Sequence, residues 1–399
     1  MFGKLLKNDL KKNLWRNMTL LLFMTVSAAI AVSVCVMLTQ LFTSLSTMYG
    51  TAKPPHFLQM HKGELNQADI DAFNAGYPGI EHWQTVPMID VYGETLSVAS
   101  PTGHAYDLSD CRLDISLVRQ NDAYDLLLDE NRHKLEMRPG EIGVPVILLE
   151  QYDIEIGDTI TLRNEKTEQS FQVSNYVYDA QMNSTLCSST RFLISDADFT
   201  ELFGQVGETE YLIEAYFTDS ALASGYQTAY EQSKSNLPKD GQAVTYPMIF
   251  LLSAMTDMMM AMVFLLAGIL LSVIALLCLR YCLLTELEED AKEIGTMKAI
   301  GIPENGIQSL YLHKIRILMA VGSFAGLLLA ACCSSFFTAH MRQTFGNQNI
   351  SPMCCLAAVA VCILLYGLVM LFARHLLRKL HAVTIVDLLA DKAWNRIQH

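Results

Sequence analysis

The side chains that most often do chemistry are scattered through this sequence, without the spacing of a catalytic or metal-binding motif. The histidines of its polar middle part are His56, His61, His82, His104 and His133. They form no H-E-x-x-H pattern, and no C-x-x-C pair accompanies them, although zinc sites use these spacings. The serines between Ser184 and Ser189 lack a G-x-S-x-G motif. We therefore expect surface histidines, no metal site and no hydrolytic site in this part.

A nucleotide-binding motif is also absent from the sequence. The P-loop pattern G-x-x-x-x-G-K-[ST], whose backbone amides surround phosphates, does not occur in the 399 residues. We therefore expect this chain to hold no cofactor and to bind no ATP by that route.

The cysteines give little evidence of a disulfide framework. Eight of the ten lie in or beside apolar runs, where a thiol behaves as a small apolar side chain. Only Cys111 and Cys187 lie in the polar middle part. They could form one disulfide, but a lone pair without framework spacing leaves the question open.

The composition is typical of a membrane protein, because 51% of the sequence is hydrophobic and its mean hydropathy is +0.26. The hydrophobic residues are concentrated in long uncharged runs. The runs without Lys, Arg, Asp or Glu are Asn17–Ala52, Met258–Leu279, Ile317–Met341 and Gln343–Ala373. About 20 such residues cross a bilayer, and a charge at its centre costs about 2.5 to 3.5 kcal/mol. The sequence therefore predicts four transmembrane helices in a multi-pass protein of the cell (plasma) membrane.

The first two spans are predicted to continue past the bilayer. The apolar core from Met18 to about Phe42 exceeds a signal-peptide core of about 7 to 15 residues, so we expect an uncleaved anchor. The 33 residues Asn17–Tyr49 contain no Pro or Gly and would form a helix of about 50 Å, against a hydrocarbon core of about 30 Å. Met248–Glu289 likewise contains no Pro. We expect both surpluses to form stalks, with Asp257 at a solvated stalk position rather than in an ion site.

Charge is distributed unevenly along the chain. Between Gln40 and Pro247 there are 12 Lys and Arg against 31 Asp and Glu, whereas the rest has 16 basic and 10 acidic residues. Basic residues beside span ends mark the cytoplasmic side, so both termini and the segment between spans two and three are predicted to be cytoplasmic. The acidic middle part is predicted to lie outside. Nothing basic is concentrated there, so we expect no nucleic-acid partner.

The middle part, Gly50–Pro247, is long enough for its own core and is bounded by Pro and Gly. Strands are predicted at Phe57–His61, Val86–Val91, Thr95–Ala99, Gly143–Leu148, Thr159–Leu162, Ser170–Tyr178, Arg191–Ile194 and Tyr211–Phe217. Helices are predicted at Asn66–Ala75, Leu117–Leu128, Asp196–Phe203 and Ser220–Ser235. The predicted fold class is an α+β membrane protein: four transmembrane helices with a large mixed α+β extracytoplasmic domain between helices 1 and 2.

A charged helical segment, Thr285–Pro303, separates the second span from the third, and we call it the interspan segment. Apolar Ile294, Met297 and Ile300 or Ala299 fall at helical spacing, and Gly301-Ile302-Pro303 ends the helix. Such a helix suits docking to a cytoplasmic partner. The alternative is an interfacial helix lying on the bilayer, but anionic lipid would repel the acidic run from Glu286 to Asp290.

The interspan segment resembles a family signature. Glu293-Ile294-Gly295, followed by Lys298-Ala299-Ile300-Gly301, is similar to the R-E-I-G-x-L-K-A-x-G motif of FtsX-like ABC transporter permeases. Further resemblances to these permeases lie in Met1–Arg16 (their basic lead-in), in Val146–Glu150, Ile156–Leu162 and Phe171–Val173 (the MacB-type periplasmic core domain), and in His381–Leu389 (their tail). Two departures are the missing tail proline and the glycine replaced after the last of these strands.

The resemblance implies a MacB-like module of four transmembrane helices without its own ATPase domain. The residues that it assigns to the ATPase contact are Glu293, Ile294, Gly295, Lys298, Ala299 and Gly301. ATP would be bound by a separate ABC ATPase partner, and two permease modules would pair as a homodimer or a heterodimer in membrane lipid. Hydrolysis would move the extracytoplasmic domain, a mechanotransmission mechanism, for export or handling of a peptide, antibiotic or lipid-linked substrate.

The predicted division of the chain follows this topology. It comprises a cytoplasmic amphipathic helix (1–16), transmembrane helix 1 with stalk (17–49), the extracytoplasmic MacB-like core domain (50–247), stalk and transmembrane helix 2 (248–284), the cytoplasmic coupling helix region (285–316), transmembrane helix 3 (317–341), transmembrane helix 4 (352–373) and a cytoplasmic tail (374–399).

Two other functions stay open from the sequence. One is an FtsX-type regulatory membrane protein that controls an extracytoplasmic cell-wall hydrolase, in which case a hydrolase or adaptor is a further partner. The other is a membrane-anchored sensor that works without any ATPase. A membrane protease is disfavoured, because the spans lack paired Asp, Ser/His or zinc-ligand sets.

Overall fold

The computed structural model describes residues 14–378 except 102, 165–166 and 348–350. Most of the predicted cytoplasmic helix at 1–16 and of the predicted tail at 374–399 lies outside the described residues. The described chain forms two units. The membrane unit contains residues 14–40, Met258–Ala339 and 351–378, and the insert unit contains Leu41–Asp257 and 340–347.

Helix α1, Leu14–Ala52, has 39 residues and is therefore about 58 Å long. Arg16, near its first residue, is its only charged residue, so the remainder of the helix is without charge. Its residues up to Gln40 belong to the membrane unit, and those from Leu41 onward belong to the insert unit.

The insert unit is built on one mixed sheet. Its elements are β1 Phe57–Lys62, α2 Gln67–Gly76, β2 Ile80–Val91, β3 Leu96–Ala99, β4 Ala105–Asp107, β5 Asp114–Val118, β6 Glu141–Pro145, β7 Thr159–Arg163, β8 Glu168–Val177, β9 Ser189–Ile194, α3 Asp196–Leu202, β10 Glu208–Phe217, α4 Ala223–Gln232 and β11 Ala243–Thr245. The strands that the structure describes follow the order β11-β1-β10-β2-β5-β9-β6-β8-β7-β3-β4. Pairs β5–β9 and β6–β8 are parallel and the other neighbours are antiparallel.

Side chains of alternate residues enter different cores of this sheet. Phe57 of β1 packs with Tyr226 and Tyr230 of α4, whereas its neighbour Leu58 packs with Met88 and Leu212 on other strands. Side chains in a strand alternate with a period of two residues, and this alternation is visible in the sequence. Each of the eight predicted strands overlaps an observed strand.

The helix predicted at Leu117–Leu128 is wrong. Its first residues end β5, and Asp125 has a φ of 49°, which no helix allows. Ile115, Ser116, Leu117 and Val118 are all buried, so β5 is covered on both faces and lacks the apolar–polar alternation of a half-exposed strand. Strand β6 also ends earlier than predicted, at Pro145, before a short 3-10 turn, Val146–Glu150.

Five helices follow the sheet: α5 Tyr246–Glu289, α6 Ala291–Ala299, α7 Glu304–Phe337, α8 Ala339–Phe345 and α9 Pro352–Arg378. In the described part of the chain, four helices are long and apolar enough to cross a membrane, namely α1, α5, α7 and α9. The predicted fold class is confirmed: the protein is mixed α+β, with four such helices and a large sheet domain between the first two. Helix α5 has 44 residues and contributes to both units.

Small residues bring α1 and α7 together in the membrane unit. A side chain added at Gly326 would place its Cβ 2.7 Å from the carbonyl oxygen of Thr25 and 2.8 Å from the Cβ of Ala28. Helix α1 also contacts α5, where the Oγ atoms of Ser27 on α1 and Ser272 on α5 lie 2.6 Å apart. The G-x-x-x-G pair Gly322 and Gly326 thus serves packing within this chain.

Candidate functional site

The interspan segment has a well-defined helix end. The N–H of Gly301 donates to the carbonyl oxygen of Lys298 at 3.1 Å, and the N–H of Ile302 donates to that of Met297 at 3.0 Å. These two bonds are the Schellman arrangement, which requires a left-handed residue just past the helix. Gly301 supplies it with a φ of 91°, and Pro303 then precedes α7. The Gly-Ile-Pro sequence therefore fixes a sharp, exposed turn.

The six residues predicted to contact an ATPase divide into two groups. Ile294 is 1% exposed and Gly295 is buried, and Ile294 packs in an apolar cluster with residues of α5, α7 and α9. Glu293, Ala299 and Gly301 are exposed, and Lys298 is half-buried. Their role in an ATPase contact stays a prediction. The first group faces the protein itself, so only the second can offer side chains to a partner.

Two apolar side chains at the same turn were not among the residues predicted to contact an ATPase. Ile300 is 75% exposed and Ile302 is 41% exposed. The signal that could have identified them is their position on either side of Gly301. The helix ends there, so their side chains do not belong to the buried face of the helix. Together with Ala299 they form an exposed apolar turn beside the charged Glu293 and Lys298.

The acidic run before α6 is held by partners on other helices. Glu286 and Lys314 are both buried and form an ion pair at 2.5 Å. The hydroxyl of Tyr311 donates to Asp290 at 3.0 Å.

Arg16 on α1 makes a forked contact with Glu289 at 3.1 and 3.2 Å. These contacts fix the end of α5 against α7 and α1. The acidic run therefore has bonding partners within the chain.

In the insert unit, the ends of α1 and α5 pack on each other, and we call residues 41–52 and 246–257 the stalk pair. The ring centroids of Phe42 and Phe250 lie 6.2 Å apart, and those of Tyr49 and Phe250 lie 5.9 Å apart. The hydroxyl of Tyr49 donates to the Oγ of Ser253 at 3.2 Å. Aromatic contacts of this kind hold two helices together beyond simple area burial.

The end of α1 is bound to the sheet by a strained loop. The N–H of Leu126 donates to the carbonyl oxygen of Ala52 at 2.8 Å, and that of Asp125 donates to Lys53 at 3.0 Å. Both Lys53 and Asp125 have a φ of 49°. Gly, Asn and Asp adopt this left-handed region more readily than other residues, so the strain falls on Lys53. The strain persists only because the surrounding bonds determine the conformation.

The side chain of Asp125 enters a buried charge cluster centred on Arg191, which we call the Arg191 cluster. Its guanidinium contacts Asp125 at 2.5 and 3.0 Å and Asp179 at 2.6 and 2.7 Å, and all three side chains are at most 2% exposed. Burial alone would lower the pKa of Arg191, but the two carboxylates hold that pKa well above its ordinary value. The sequence does contain a signal for this cluster, since Arg191 directly precedes the apolar Phe192-Leu193-Ile194 in the same strand.

Asp257 does not occupy the solvated position expected from the sequence. It is 1% exposed, and its Oδ1 lies 3.0 Å from the Nδ1 of His340 on α8. Residues 340–347 cover it, because this segment is bound to the insert unit: the Nδ2 of Asn183 donates to Thr344 at 2.7 Å. A cavity of about 100 Å³, lined by Ser253, Thr256, His340 and Thr344, lies alongside.

Two histidines expected at the surface have structural bonds instead. The Nδ1 of His56 accepts from the N–H of Phe217 at 2.9 Å. His61 is buried; its Nδ1 accepts from Asp240 at 3.2 Å, and its Nε2 donates to the carbonyl oxygen of Glu64 at 3.0 Å. Cys111 and Cys187 are free thiols. Within residues 14–378, apart from the undescribed gaps, no group of three or more His, Cys, Asp or Glu could hold a metal ion.

A comparison with protein families finds one match in the C-terminal part of the chain. A family model described as FtsX-like permease C-terminal matches residues 258–382, which include the interspan segment, α7 and α9. No curated protein matches this chain.

Two solved structures resemble the chain at low similarity. The periplasmic region of MacB from Actinobacillus actinomycetemcomitans is 9% identical, with a TM-score of 0.27, over 48% of this chain and 88% of that one. A domain of a proposed permease protein from Porphyromonas gingivalis is 8% identical, with a TM-score of 0.26, over 48% and 89%. Both scores are too low to support a conclusion about function.

Proposed function

We propose that this chain, a multi-pass membrane protein whose residues 258–382 are an FtsX-like permease domain, is the permease subunit of an ABC transporter that works by mechanotransmission. A separate ABC ATPase subunit binds and hydrolyses ATP. The interspan segment receives the resulting movement, and the insert unit changes conformation on the other side of the membrane. The substrate is a peptide, an antibiotic or a lipid-linked molecule.

The exposed turn of the interspan segment carries this proposal. It lies between two apolar helices, inside the residues that match the permease family, and it presents Ile300 and Ile302 next to Glu293 and Lys298. Exposed apolar side chains with charged neighbours are typical of a protein-docking surface. The Schellman closure at Gly301 holds this turn in one conformation.

The route for movement is supported by two helices. Helices α1 and α5 each contribute residues to both units, and both are far longer than a bilayer requires. At their ends the stalk pair and the bonds from Asp125 and Leu126 join them to the insert unit. A displacement of either helix along its axis would therefore act on the sheet through a few defined bonds.

Sidedness and assembly belong to the same proposal. The distribution of basic residues supports cytoplasmic termini and a cytoplasmic interspan segment. The family match supports an ABC ATPase partner and a dimer of permease modules in general terms. We propose a second module, identical or related, beside this one in the membrane.

Purification of the full chain from its native membranes tests the proposal. We expect an ABC ATPase, identified by its P-loop peptides, to co-purify and hydrolyse ATP. Ile300→Glu should reduce co-purification and ATP turnover at least tenfold, because it places a charge in the apolar turn. Leu222→Glu, at a side chain 40% exposed in the insert unit, is the matched control and should change neither. Equal recovery of the ATPase with both variants would contradict the docking site.

A further inference from the structure

A short segment between α7 and α9 belongs to the insert unit, although both of these helices belong to the membrane unit. We call its described part, residues 340–347, the strap. It contains most of α8, whose side chains Met341 and Phe345 are each 1% exposed. These two residues are four positions apart and therefore lie on the same face of the helix. The strap thus has a buried apolar face of its own.

Two hydrogen bonds attach the strap to loops of the insert unit. The Nδ2 of Asn183 donates to the carbonyl oxygen of Thr344 at 2.7 Å. The N–H of Asn347 donates to the carbonyl oxygen of Glu130 at 2.9 Å. Amide and carbonyl groups do not titrate near neutral pH, so these two attachments do not depend on pH.

The third attachment is a contact between two titratable side chains. The Nδ1 of His340 lies 3.0 Å from the Oδ1 of Asp257, which is 1% exposed. Within the described chain, His340 is the only basic side chain paired with Asp257, and the Oδ2 of Asp257 has no hydrogen-bond partner. A buried carboxylate without a cation is unfavourable. The strength of this attachment therefore depends on whether the imidazole is charged.

His340 is placed where its proton can exchange with solvent. Its side chain is 28% exposed and lines the cavity of about 100 Å³, whose other lining side chains are uncharged. The other titratable groups of the described elements around it are Arg342 on α8, Glu130 next to the strap and Tyr49, whose hydroxyl donates to Ser253. Guanidinium, carboxyl and phenol groups ordinarily titrate far from neutrality, so the imidazole is the group that changes charge between about pH 5 and 8.

We propose that the pair of His340 and Asp257 is a pH-sensitive latch, which holds the strap to the insert unit while His340 is protonated and loosens it as the pH rises. The attached strap supplies the carboxylate that stabilises the imidazolium, so the attached state binds the proton more tightly than the loosened state. The attachment is therefore strongest at low pH and weakens as the imidazole loses its proton, ordinarily near pH 6.5. Since one proton is involved, the attachment equilibrium changes by at most about tenfold per pH unit.

Hydrogen–deuterium exchange of the full chain in detergent tests the latch. Protection factors, which remove the intrinsic pH dependence of exchange, would be recorded for strap peptides that include Asn347 and for the sheet strands β2 and β10. Between about pH 5.5 and 8 we expect the protection of the strap, relative to the sheet, to fall about tenfold.

Three variants separate the latch from general effects of pH. His340→Gln keeps a hydrogen-bond donor without the charge, and Asp257→Asn removes the buried carboxylate, so both should make the relative protection of the strap independent of pH. His104→Gln makes the first change at an exposed histidine of the insert unit and should keep the wild-type profile. Unchanged protection of the sheet at low pH verifies that each variant is folded, and if one fails this check the other decides.

Three results would overturn the proposal. They are a relative protection of the wild-type strap that does not change with pH, a wild-type profile in the folded His340→Gln or Asp257→Asn variant, and loss of the profile in His104→Gln. The measurement needs neither ATP nor an ATPase, so it succeeds or fails independently of the proposed transport function.

Discussion

Both units bury charge, but they bury it in different ways. In the insert unit, one guanidinium faces two carboxylates that come from loops 66 and 12 residues away, through four contacts. In the membrane unit, the ammonium of Lys314 on α7 lies 2.5 Å from a carboxylate oxygen of Glu286 on α5. A guanidinium is a planar fork with fixed directions, whereas an ammonium is a point charge on a flexible stem.

The difference indicates where the molecule is rigid and where it can yield. The Arg191 cluster fixes the loop that binds the end of α1, and a displaced carboxylate there would lose two directional bonds at once. The Glu286–Lys314 pair tolerates a small shift of α5 against α7, because a flexible stem can follow its partner. That is the behaviour expected of a helix end next to the proposed site of force input.

The largest effect in this comparison is expected from Arg191→Met. This change leaves Asp125 and Asp179 buried without a cation, which costs more than about 4 kcal/mol and should unfold the insert unit. The control is Arg163→Met, where an exposed ion pair with Glu168 is lost and the cost is at most about 1 kcal/mol. Limited proteolysis and thermal unfolding measure both. Similar stability of the two variants would contradict a rigid joint at Arg191.

Lys314→Met should have the next largest effect, about 3 kcal/mol, because it removes the ammonium that is paired with the buried carboxylate of Glu286. The second change Glu286→Leu should recover most of the loss, since an apolar pair of similar volume replaces a buried ion pair with little cost. Thermal unfolding in detergent gives both values. A double variant that is no more stable than Lys314→Met would show that the pair is not the cause.

Gly326→Ala tests the close packing of α7 on α1. The added Cβ meets backbone atoms of Thr25 and Ala29 within 3.0 Å, so the helices must separate, at a cost of about 1 to 3 kcal/mol. Gly367→Ala on α9 adds the same group where no atom lies within 4 Å, and alanine's helix propensity should make it neutral or slightly stabilising. Loss of stability in both variants would argue against a specific contact.

The smallest effect concerns pH and the buried Glu210 on β10. The pKa of Glu210 is raised from 4.5 to about 7, so between these values the folded state binds more protons than the unfolded state. The contribution of Glu210 to the free energy of unfolding is therefore fully present below about pH 4.5 and is lost as the pH rises through 7.

Glu210→Gln should reduce this loss of unfolding free energy by about 1 kcal/mol or more, relative to Glu201→Gln at an exposed site on α3. Melting temperatures recorded across that pH range measure the difference. Glu214, whose pKa burial also raises, keeps part of the slope in both variants. An identical pH profile for the two variants would contradict the assignment.

Much of the fold could be predicted because the relevant signals are local. Uncharged runs gave the four apolar helices, and alternation gave strands such as β1 and β10. The error at Leu117–Leu128 arose where that alternation fails, since β5 is buried on both faces. Local patterns identify elements, but they do not report which element covers which.

The candidate site was only partly accessible for the same reason. The interspan helix and its glycine turn follow from sequence, but the inward position of Ile294 depends on helices far away in the chain. The burial of Asp257 depends on His340, 83 residues later. The Arg191 cluster joins three segments that no periodicity connects.

A distance measurement across the stalk pair tests mechanotransmission most directly. Spin labels at Ser46 and Met255, both exposed, would be introduced as unnatural amino acids in the permease–ATPase complex. The account predicts that the distance distribution shifts when ATP is added and that Ile300→Glu abolishes the shift. An unchanged distribution while the wild-type complex hydrolyses ATP would contradict it.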